Sequence, residues 1–342
     1  MYFFFDDYSE GAHLQILEAF SRTNFQQERG YGMDSFTQEA ERLIKEKIKK
    51  PKAAVHFVSS GTHANLVCIS SLLKSYESVV AVDSGHANIH EAGAVEATGH
   101  KINVVPAVAG KMTPQAILEI VTTHTDEHMV KPKAVYISQS TEVGTVYLKS
   151  ELQKLHEVCQ QNELYLFIDG ARIGHAVMSK NADFDLFDIA NYCDLFSIGG
   201  TKNGALIGEA IVIVNPGLQE NFRYHLRQRG ALLAKARAVT VQFVELFKGN
   251  LYFENAKYAN DMAQKLAVGI QECGYQFLSE PVVNQIFPIF PNGVIEKLQK
   301  NHGFYVWSKS STPDHSVVRL VTSWATQDVA IEAFLADLKK FS

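Results

Sequence analysis

A lysine held among small residues is the first candidate for chemistry in this chain. Lys202 lies in the segment SIGGTKNG at residues 197–204, just beyond a predicted strand. An amine adds to a carbonyl group only when it is unprotonated, and burial near other cations lowers the pKa of a lysine toward that state. Lys202, with Thr201 beside it, could therefore hold a carbonyl compound as a Schiff base. The alternative is a solvated cation in an ordinary loop.

An aspartate stands at the end of another predicted strand. The segment YLFIDGAR at residues 165–172 delivers Asp169 at the carboxyl end of the strand. Ligands of open α/β sheets bind at that edge, so the carboxylate could meet a cationic ring nitrogen and keep it protonated. The alternative is an aspartate that caps the following turn.

A turn of small residues comes earlier, in the segment SSGTHAN at residues 59–65, which follows a predicted strand and opens a predicted helix. At Ser60, Gly61 and Thr62 the backbone N–H groups could approach an anion, and a helix N-terminus favours a phosphate. An ordinary strand-to-helix turn with Ser or Thr capping explains this segment equally well when it is taken alone.

The order of the three segments narrows the choice of cofactor. A phosphate turn, a strand-end acid and a strand-end lysine suit the phosphate, ring nitrogen and aldehyde of pyridoxal 5'-phosphate (PLP). Spacing excludes a nucleotide-binding P-loop, since Asn203 stands where Ser or Thr would follow the lysine. The nearest approach to a metal motif is His86 with His90 and Glu91, which is not a compact signature. The sequence therefore predicts a PLP enzyme without a metal.

The elements that must position these residues are short apolar strands that alternate with amphipathic helices. The predicted strands are 54–58, 79–82, 101–105, 134–137, 165–168, 195–198 and 210–214, and the helices between them include 62–75, 114–123 and 150–162, the last with Ser150 as its N-cap. This alternation predicts an α/β fold with a mostly parallel sheet covered by helices on both faces.

The pattern changes after Pro216. Long helical segments are predicted at 218–246 and 251–273, short strands around 285–290 and 317–322, and a final helix near 328–341. We therefore expect an N-terminal arm and a large ligand-binding domain over residues 1–250, and a smaller α+β domain over residues 251–342.

Composition excludes several classes of function. The 342 residues carry a net charge of −5 and no unbroken block of Lys or Arg, unlike a nucleic-acid-binding protein. No apolar run reaches the roughly 18 residues of a membrane-spanning helix, and the start MYFFFDD lacks the regions of a signal peptide. Four widely spaced cysteines favour a reducing compartment. We expect a cytoplasmic enzyme that acts on an amino acid and contacts neither nucleic acid nor membrane.

Four further segments extend the pattern along the chain: DYSEGAH at 7–13, GYGMD at 30–34, GHANIHEAG at 85–93 and VRLVT at 318–322. With them the chain resembles, nearly end to end, the low-specificity L-threonine aldolases of the aromatic amino acid β-eliminating lyase/threonine aldolase family. The resemblance implies a fold-type-I PLP enzyme that cleaves L-threonine or L-allo-threonine to glycine and an aldehyde. It also implies a homodimer or homotetramer with shared active sites.

The resemblance assigns roles around the cofactor. Gly61 and Thr62 match the phosphate-binding pair. His86 matches the imidazole that stacks on the cofactor ring and moves protons, and Glu91 matches an acid that positions that histidine or a water molecule. The alternatives are a core histidine and a structural glutamate at a helix end.

The resemblance also assigns roles around the substrate. Arg172 and Arg319 match the pair that binds the substrate carboxylate, for which the planar guanidinium is suited; the alternative for each is a structural ion pair. Tyr31 matches an active-site aromatic residue near the subunit boundary, or packs there. Lys235 falls near a basic position, usually Arg, that reaches the phosphate from the partner subunit.

This chain departs from the family in two places. Many members carry a second active-site histidine that contacts the substrate β-hydroxyl group, whereas the segment QSTEVG at 139–144 places Glu142 there. The N-terminal Arg-Ser-Asp-Thr pattern of the family is FDDY at 5–8 here, which makes Asp7 a candidate for substrate contact. Both changes fall in the predicted substrate pocket and leave the cofactor residues intact. PLP use is therefore better supported than threonine as substrate.

Two alternative functions stay open. The same cofactor could serve β-elimination or the cleavage of a bulkier aryl-serine, or the chain could bind PLP without catalysing a reaction. The predicted catalytic residues are Lys202, His86, Glu91 and Asp169; the predicted cofactor-binding residues are Ser60, Gly61, Thr62, His86, Asp169, Arg172, Thr201, Lys202 and Lys235; the predicted substrate-binding residues are Asp7, Tyr31, Glu142, Arg172 and Arg319.

Overall fold

The computed structural model of the protein describes residues 1–341, and its centre is a seven-stranded sheet. The seven strands are β2 (Ala54–Val58), β3 (Glu77–Val82), β4 (Lys101–Val105), β5 (Lys131–Ser138), β6 (Tyr165–Asp169), β7 (Leu195–Gly199) and β8 (Glu209–Ile213), and β1 (Tyr2–Phe3) lies outside this sheet. They are arranged in the order β2-β8-β7-β6-β5-β3-β4, and only β8 runs antiparallel to its neighbours. The predicted α/β fold with a mostly parallel sheet is confirmed.

Helices cover both faces of this sheet. They are α1 (Leu14–Thr23), α2 (Ser35–Lys47), α3 (Gly61–Leu72), α4 (His86–Ile89), α5 (Pro114–Thr123), α6 (Lys149–Gln161), α7 (Ile173–Val177), α8 (Leu186–Asn191), α9 (Phe222–Gln228) and α10 (Arg237–Phe247), with 3₁₀ turns at Glu96–Thr98, Thr201–Asn203 and Pro216–Leu218. On β5, Val135 and Ile137 pack into the core beneath α2, α6 and α10, whereas Ala134 and Tyr136 pack into the core beneath α3. Alternate residues of a strand point to opposite faces, so each apolar strand serves two cores.

Two details of the helix prediction are wrong. The segment predicted as one helix over 218–246 is broken between α9 and α10, where Gly230 adopts a left-handed conformation with φ of 74°. Helix α6 begins at Lys149 rather than after a Ser150 cap. The Glu151 carboxylate accepts the backbone N–H of Leu148 at 2.7 Å, so a first-turn acid satisfies the helix start instead.

The C-terminal part forms a third core on an antiparallel sheet. Its elements are α11 (Leu251–Glu272), α12 (Asn292–Leu298), α13 (Asp328–Phe341), β9 (Gln285–Ile286), β10 (Ile289–Pro291), β11 (His302–Gly303), β12 (Tyr305–Lys309) and β13 (His315–Val321). Strand β13 pairs with β10, β12 and β9. Helix α11 belongs to two cores, because Leu251 and Tyr252 pack against the large sheet while Leu266 and Ile270 pack against the C-terminal sheet.

The N-terminal arm lies against the C-terminal part. Strand β1 pairs in parallel with β11, and Phe4 is buried in the C-terminal core. The backbone of Phe4 bonds to Gly303 and Val321, which carries the arm forward to residues 6–8. Across residues 1–341, no helix has both the length and the apolarity needed to cross a membrane.

Candidate active site

The candidate site lies where neighbouring strands of the large sheet end. Strand β5 ends at Ser138, which lies opposite Asp169 at the end of β6. The segments that follow β5, β6 and β7 carry Glu142, Arg172 and Lys202. Because the carboxyl ends of parallel strands meet at one edge of a sheet, side chains that are distant in sequence converge there.

Two cavities share walls at this edge. The larger, of about 420 Å³, is lined by Asp6, Tyr8, His86, His90, Glu142, Arg172, Lys202, Gln285, Tyr305, Val306, Trp307 and Arg319. The smaller, of about 30 Å³, is lined by Gly61, Asn65, His86, Ser138, Ser140, Glu142, Asp169, Ala171, Arg172 and Lys202. His86, Glu142, Arg172 and Lys202 line both, so the structure brings most of the predicted catalytic and substrate-binding residues together.

Hydrogen bonds to helix α11 fix the turn that carries Lys202. Asn203 donates from Nδ2 to the carbonyl oxygen of Tyr252 at 2.6 Å. Gly204 has a φ of 96°, and a Cβ there would lie 2.5 Å from Asn255 Nδ2, so glycine is required. Burial and the nearby positive charge of Arg172 lower the pKa of Lys202. Lys202 is thus biased toward the unprotonated amine that carbonyl chemistry needs.

Asp169 is buried at the centre of a hydrogen-bond network. Its Oδ2 accepts the hydroxyl of Tyr136 at 2.6 Å and the amide of Asn65 at 2.9 Å, and its Oδ1 accepts the backbone N–H of Ala171 at 2.9 Å. Burial opposes ionisation, but His86 and these hydrogen bonds outweigh it and lower the pKa of the carboxyl. The group is therefore a fixed negative charge facing the smaller cavity.

His86 is held by a buried acid. Its Nδ1 lies 2.7 Å from Glu91 Oε1, and the Glu91 side chain is fully buried whereas a third of the His86 side chain is exposed. This contact occupies Nδ1 and leaves Nε2 for the cavity. One ligand atom each of His86, Glu91 and Asp169 lie within 4.8 Å of one another, a spacing that would suit a cation. The direct contact of His86 with Glu91, and the amide of Asn65 that donates to both Glu91 and Asp169, account for this grouping.

The first turn of α3 carries the three residues that the sequence predicts to bind a phosphate. Ser60 is the N-cap and accepts the backbone N–H of His63 at 3.3 Å, and Gly61 lines the smaller cavity, while Thr62 follows in the first turn. Strand β8 pairs with β2 on one side and with β7 on the other. The turn between β2 and α3 therefore lies near Thr201 and Lys202, which follow β7. Thr201 Oγ1 accepts the N–H of Gly208 at 2.9 Å and is therefore partly committed to its own turn.

The two predicted carboxylate-binding arginines lie in the larger cavity, and each already has an acidic partner. Arg172 donates from Nε and Nη2 to Asp7 at 2.7 and 3.0 Å. Arg319 donates to Asp6 at 2.8 Å and stacks on Tyr305 and Trp307. Its Nε is buried and has no hydrogen-bond partner among the described residues. Arg319 thus has a donor left for an added anion.

Asp7 lies behind Arg172 rather than in the cavity. It is fully buried and also accepts the amide of Asn284 at 2.8 Å. Burial raises the pKa of an acid, but here the charges of Arg172 and Lys202 outweigh that effect and hold the pKa of Asp7 well below its usual value. Asp7 therefore contacts Arg172 rather than the cavity, whereas its neighbours Asp6 and Tyr8 line the cavity.

Glu142 stands between the two cavities. Its Oε1 accepts the hydroxyl of Ser138 at 2.6 Å and the backbone N–H of His86 at 3.1 Å. Burial raises the pKa of this carboxyl. Both hydrogen bonds that fix Glu142 to other residues end on Oε1, so Oε2 is the oxygen that a ligand would meet.

Tyr31 and Lys235 do not line either cavity in this chain. Tyr31 has a φ of 59°, is partly exposed, and its backbone N–H bonds to the carbonyl oxygen of Ala234 at 3.1 Å. Lys235 follows Ala234 and lines a separate surface cavity of about 410 Å³ with Arg29 and Arg237. Within one chain these two predicted site residues are neighbours of each other and not of Lys202.

Comparison with known proteins matches this geometry to a family. The beta-eliminating lyase family model matches residues 8–291. The chain belongs to this family. A low-specificity L-threonine aldolase of Pseudomonas sp. (strain NCIMB 10558) is 32% identical over 98% of this chain and 96% of its own. One of Pseudomonas aeruginosa is 32% identical over 86% of this chain and 83% of its own. The solved threonine aldolase of Leishmania major superposes with a TM-score of 0.97 at 42% identity, covering 99% of both chains.

Threonine aldolases and their fold-type-I relatives use PLP, and the residues present in this chain fit that cofactor. A buried lysine with a lowered pKa, a buried acid with a lowered pKa and a helix N-terminus face one shared space. The hydroxyl of Ser140 lines the smaller cavity and is buried without a partner among residues 1–341, so it is available to an added polar group.

Several residues of the site were given no binding or catalytic role in the sequence analysis. Asn65 and Tyr136 bond to Asp169, and Tyr8, His90 and Trp307 line the larger cavity. Asn65 lies inside the SSGTHAN segment, so its place on the first turns of α3 was a usable signal. Tyr8 and His90 lie in the segments FDDY and GHANIHEAG, which the family resemblance placed at the site, whereas Tyr136 and Trp307 reach it only through the tertiary fold.

Proposed function

We propose that this protein is a PLP-dependent aldolase that cleaves a β-hydroxy amino acid, L-threonine or L-allo-threonine, to glycine and an aldehyde. The convergence of Lys202, Asp169, His86 and two arginines on two cavities that share walls, in a member of the beta-eliminating lyase family, supports the proposal. The full-length likeness to low-specificity L-threonine aldolases supports the reaction.

The residues that would hold the cofactor divide between its two ends. Lys202 Nζ, whose pKa is lowered by burial and by the charge of Arg172, would be the amine for its aldehyde carbon. Asp169 would hold a proton on its ring nitrogen, and the first turn of α3 with Ser60, Gly61 and Thr62 would bind its phosphate. When bound, PLP supplies an electron-withdrawing ring that labilises bonds at the α-carbon of an amino acid.

The arginines orient the substrate. Arg319 has a buried Nε without a partner among residues 1–341, and Arg172 is held in place by Asp7. A substrate carboxylate would therefore meet two fixed guanidinium groups. Planar guanidinium groups bind a carboxylate with defined geometry, which fixes the bonds at the α-carbon relative to the cofactor site.

Two groups can handle the proton of the β-hydroxyl group. His86, whose Nδ1 is held by Glu91, can accept it at Nε2. Glu142, which lines the same two cavities, can accept it at Oε2. Removal of that proton converts the hydroxyl group to the carbonyl oxygen of the departing aldehyde as the bond between the α- and β-carbons breaks. A proton delivered to the α-carbon from the same groups completes glycine.

A second candidate keeps the cofactor and takes larger substrates. The larger cavity of about 420 Å³ has Tyr305, Trp307 and His90 in its wall, which favours an aromatic β-substituent such as that of an aryl-serine. β-Elimination from such a substrate would yield a 2-oxo acid and ammonia instead of glycine and an aldehyde.

We further propose a homodimer, or a dimer of dimers, in which Tyr31 and Lys235 complete the site of the partner subunit. Lys235 lines a surface cavity away from Lys202, and the backbone of Tyr31 is bonded to Ala234 in the wall of that cavity, which supports this. All four cysteines are free thiols, which supports a reducing compartment such as the cytoplasm.

The deciding experiment is an absorbance spectrum of the purified protein with PLP, followed by assays of glycine and acetaldehyde after addition of L-threonine or L-allo-threonine. We expect a band near about 420 nm that is absent in Lys202→Ala, and both products in the wild type only. A Lys202-dependent band with a 2-oxo acid and ammonia would replace the aldolase by a lyase. Absence of the band would overturn the assignment.

A further inference from the structure

One asparagine bonds to both acids of the site. Asn65 donates from Nδ2 to Glu91 Oε1 at 2.7 Å and to Asp169 Oδ2 at 2.9 Å. Glu91 is the partner of His86, and Asp169 is the acid placed for the cofactor ring nitrogen. The amide of Asn65 therefore lies between the group that holds the proton-handling histidine and the group that would hold the cofactor.

The chemistry of an amide suits this position. An asparagine NH₂ group has two hydrogens on one atom, so it can donate to two carboxylates at once without adding a charge. The other amide atom, Asn65 Oδ1, is buried and has no partner among the described residues. The contacts thus use the donor half of the side chain only, and helix α3 supplies a rigid base for it.

The two acids need such a group because they are close. Ligand atoms of Glu91 and Asp169 lie within 4.8 Å of each other, and both residues are buried. Like charges at this separation repel strongly in a medium of low dielectric constant. An N–H group directed at each oxygen offsets that repulsion, and it is one of the hydrogen bonds that lower the pKa of Asp169.

We infer that Asn65 is a positioning residue for the reaction, which holds Glu91 against His86 and Asp169 against the cofactor ring nitrogen through a single amide group. The inference rests on the proposed function, because it assigns Glu91 and Asp169 their roles. Asn65 acts on the chemistry through these two carboxylates.

The test compares Asn65→Ala with a matched control, Asn103→Ala. Alanine keeps helix α3, and Asn65→Asp serves as a second variant that keeps the shape but replaces the donor by an acceptor. Asn103 is also buried and donates to a side chain, Ser78 Oγ at 2.9 Å, but it lies on β4 and lines neither cavity. The measurements are the dissociation constant of PLP, and kcat and KM for L-threonine.

We expect PLP to bind about tenfold more weakly to Asn65→Ala, as for the loss of a hydrogen bond to a charged group, and more weakly still to Asn65→Asp. We expect kcat to fall about tenfold or more. KM for L-threonine should stay within about twofold, because the arginines are untouched. Asn103→Ala should match the wild type in all three quantities.

Wild-type affinity and kcat in both Asn65 variants would overturn the inference, and so would equal losses in Asn103→Ala, which would indicate a general loss of stability. If Asn65→Ala did not fold, as judged by circular dichroism, the Asn65→Asp variant would decide. A wild type that binds PLP but forms no glycine would refute the proposed function alone, since the affinity comparison would still test Asn65.

Discussion

Glu142 lines both cavities beside His86, at the position for which the family resemblance implies a second histidine. The raised pKa of Glu142 comes from burial. The charged or titratable groups that line its two cavities are Asp6, Tyr8, His86, His90, Asp169, Arg172, Lys202, Tyr305 and Arg319. An acid with a raised pKa is neutral over a wider pH range, so it accepts a proton only once the pH exceeds that raised value. The acidic limb of activity should therefore report this residue.

We expect kcat/KM for L-threonine to fall as the pH falls through a value above the ordinary 4.5 of a glutamate. Glu142→Gln should lower kcat by about a hundredfold, the usual range for loss of a proton acceptor, and should remove that limb of the profile. The measurement is a pH–rate profile of both proteins. Glu41→Gln, a half-buried glutamate on helix α2, is the control. An unchanged profile in Glu142→Gln would leave His86 as the acceptor.

At the scale of elements, the N-terminal arm is attached to the active site by a buried ion pair. Asp7 is fully buried and the Arg172 side chain is 12% exposed. Removal of one partner from such a pair leaves an uncompensated charge, which costs about 3 kcal/mol or more. We expect Asp7→Asn to lower the free energy of unfolding by that amount at pH 7, measured by urea denaturation, and to raise KM. Asp261→Asn, in an exposed pair with Lys257, should change it by less than about 1 kcal/mol.

The same pair predicts a pH dependence of stability. The pKa of Asp7 is lowered in the folded state, so its stabilising contribution is complete above the ordinary value of 3.8 and is lost as the pH falls below it. The wild type should lose more stability between pH 5 and pH 3 than Asp7→Asn does. Parallel curves for the two proteins would show that the arm is held by packing alone.

The sequence predicted correctly the elements that have a strong local pattern. Strands β2 and β4 and helices α5 and α13 have the predicted bounds. The strands are short runs rich in β-branched residues, and a Thr-Pro or Asp start defines the helices. Helices α1 and α2 were not predicted. The break after α9 was missed because the segment 218–246 keeps a helical composition, and the left-handed Gly230 that ends the helix resembles any other glycine in the sequence.

The candidate site was predicted to the extent that its residues follow strands. Lys202 and Asp169 were found in this way, since each lies at or just after a strand end, whereas His86 was assigned through the family resemblance. The contact of Asn65 with Glu91 joins residues 26 apart on separate segments, so only the fold reveals it. The burial of Asp7 behind Arg172 depends on the path of the arm along the C-terminal part, which has no local signature.

At the scale of the whole molecule, the position of Tyr31 and Lys235 predicts complementation between inactive subunits. We expect the wild type to be a dimer or tetramer by light scattering. A Lys202→Ala chain and a Tyr31→Ala/Lys235→Ala chain should each be nearly inactive alone. When co-expressed, half of the dimers are mixed and each mixed dimer has one intact site, so about a quarter of wild-type activity should return. Activity no higher than the mean of the two parents would place both residues outside the site.

Helix α11 has a consequence for how the molecule unfolds. Its first turn is part of the large-sheet core and its second half is part of the C-terminal core. Unfolding of either core would therefore remove packing contacts from the other. Both tryptophans, Trp307 and Trp324, lie in the C-terminal part, whereas most helices belong to the large sheet. Tryptophan fluorescence and far-ultraviolet circular dichroism should therefore give coincident transitions, the mark of one cooperative unit.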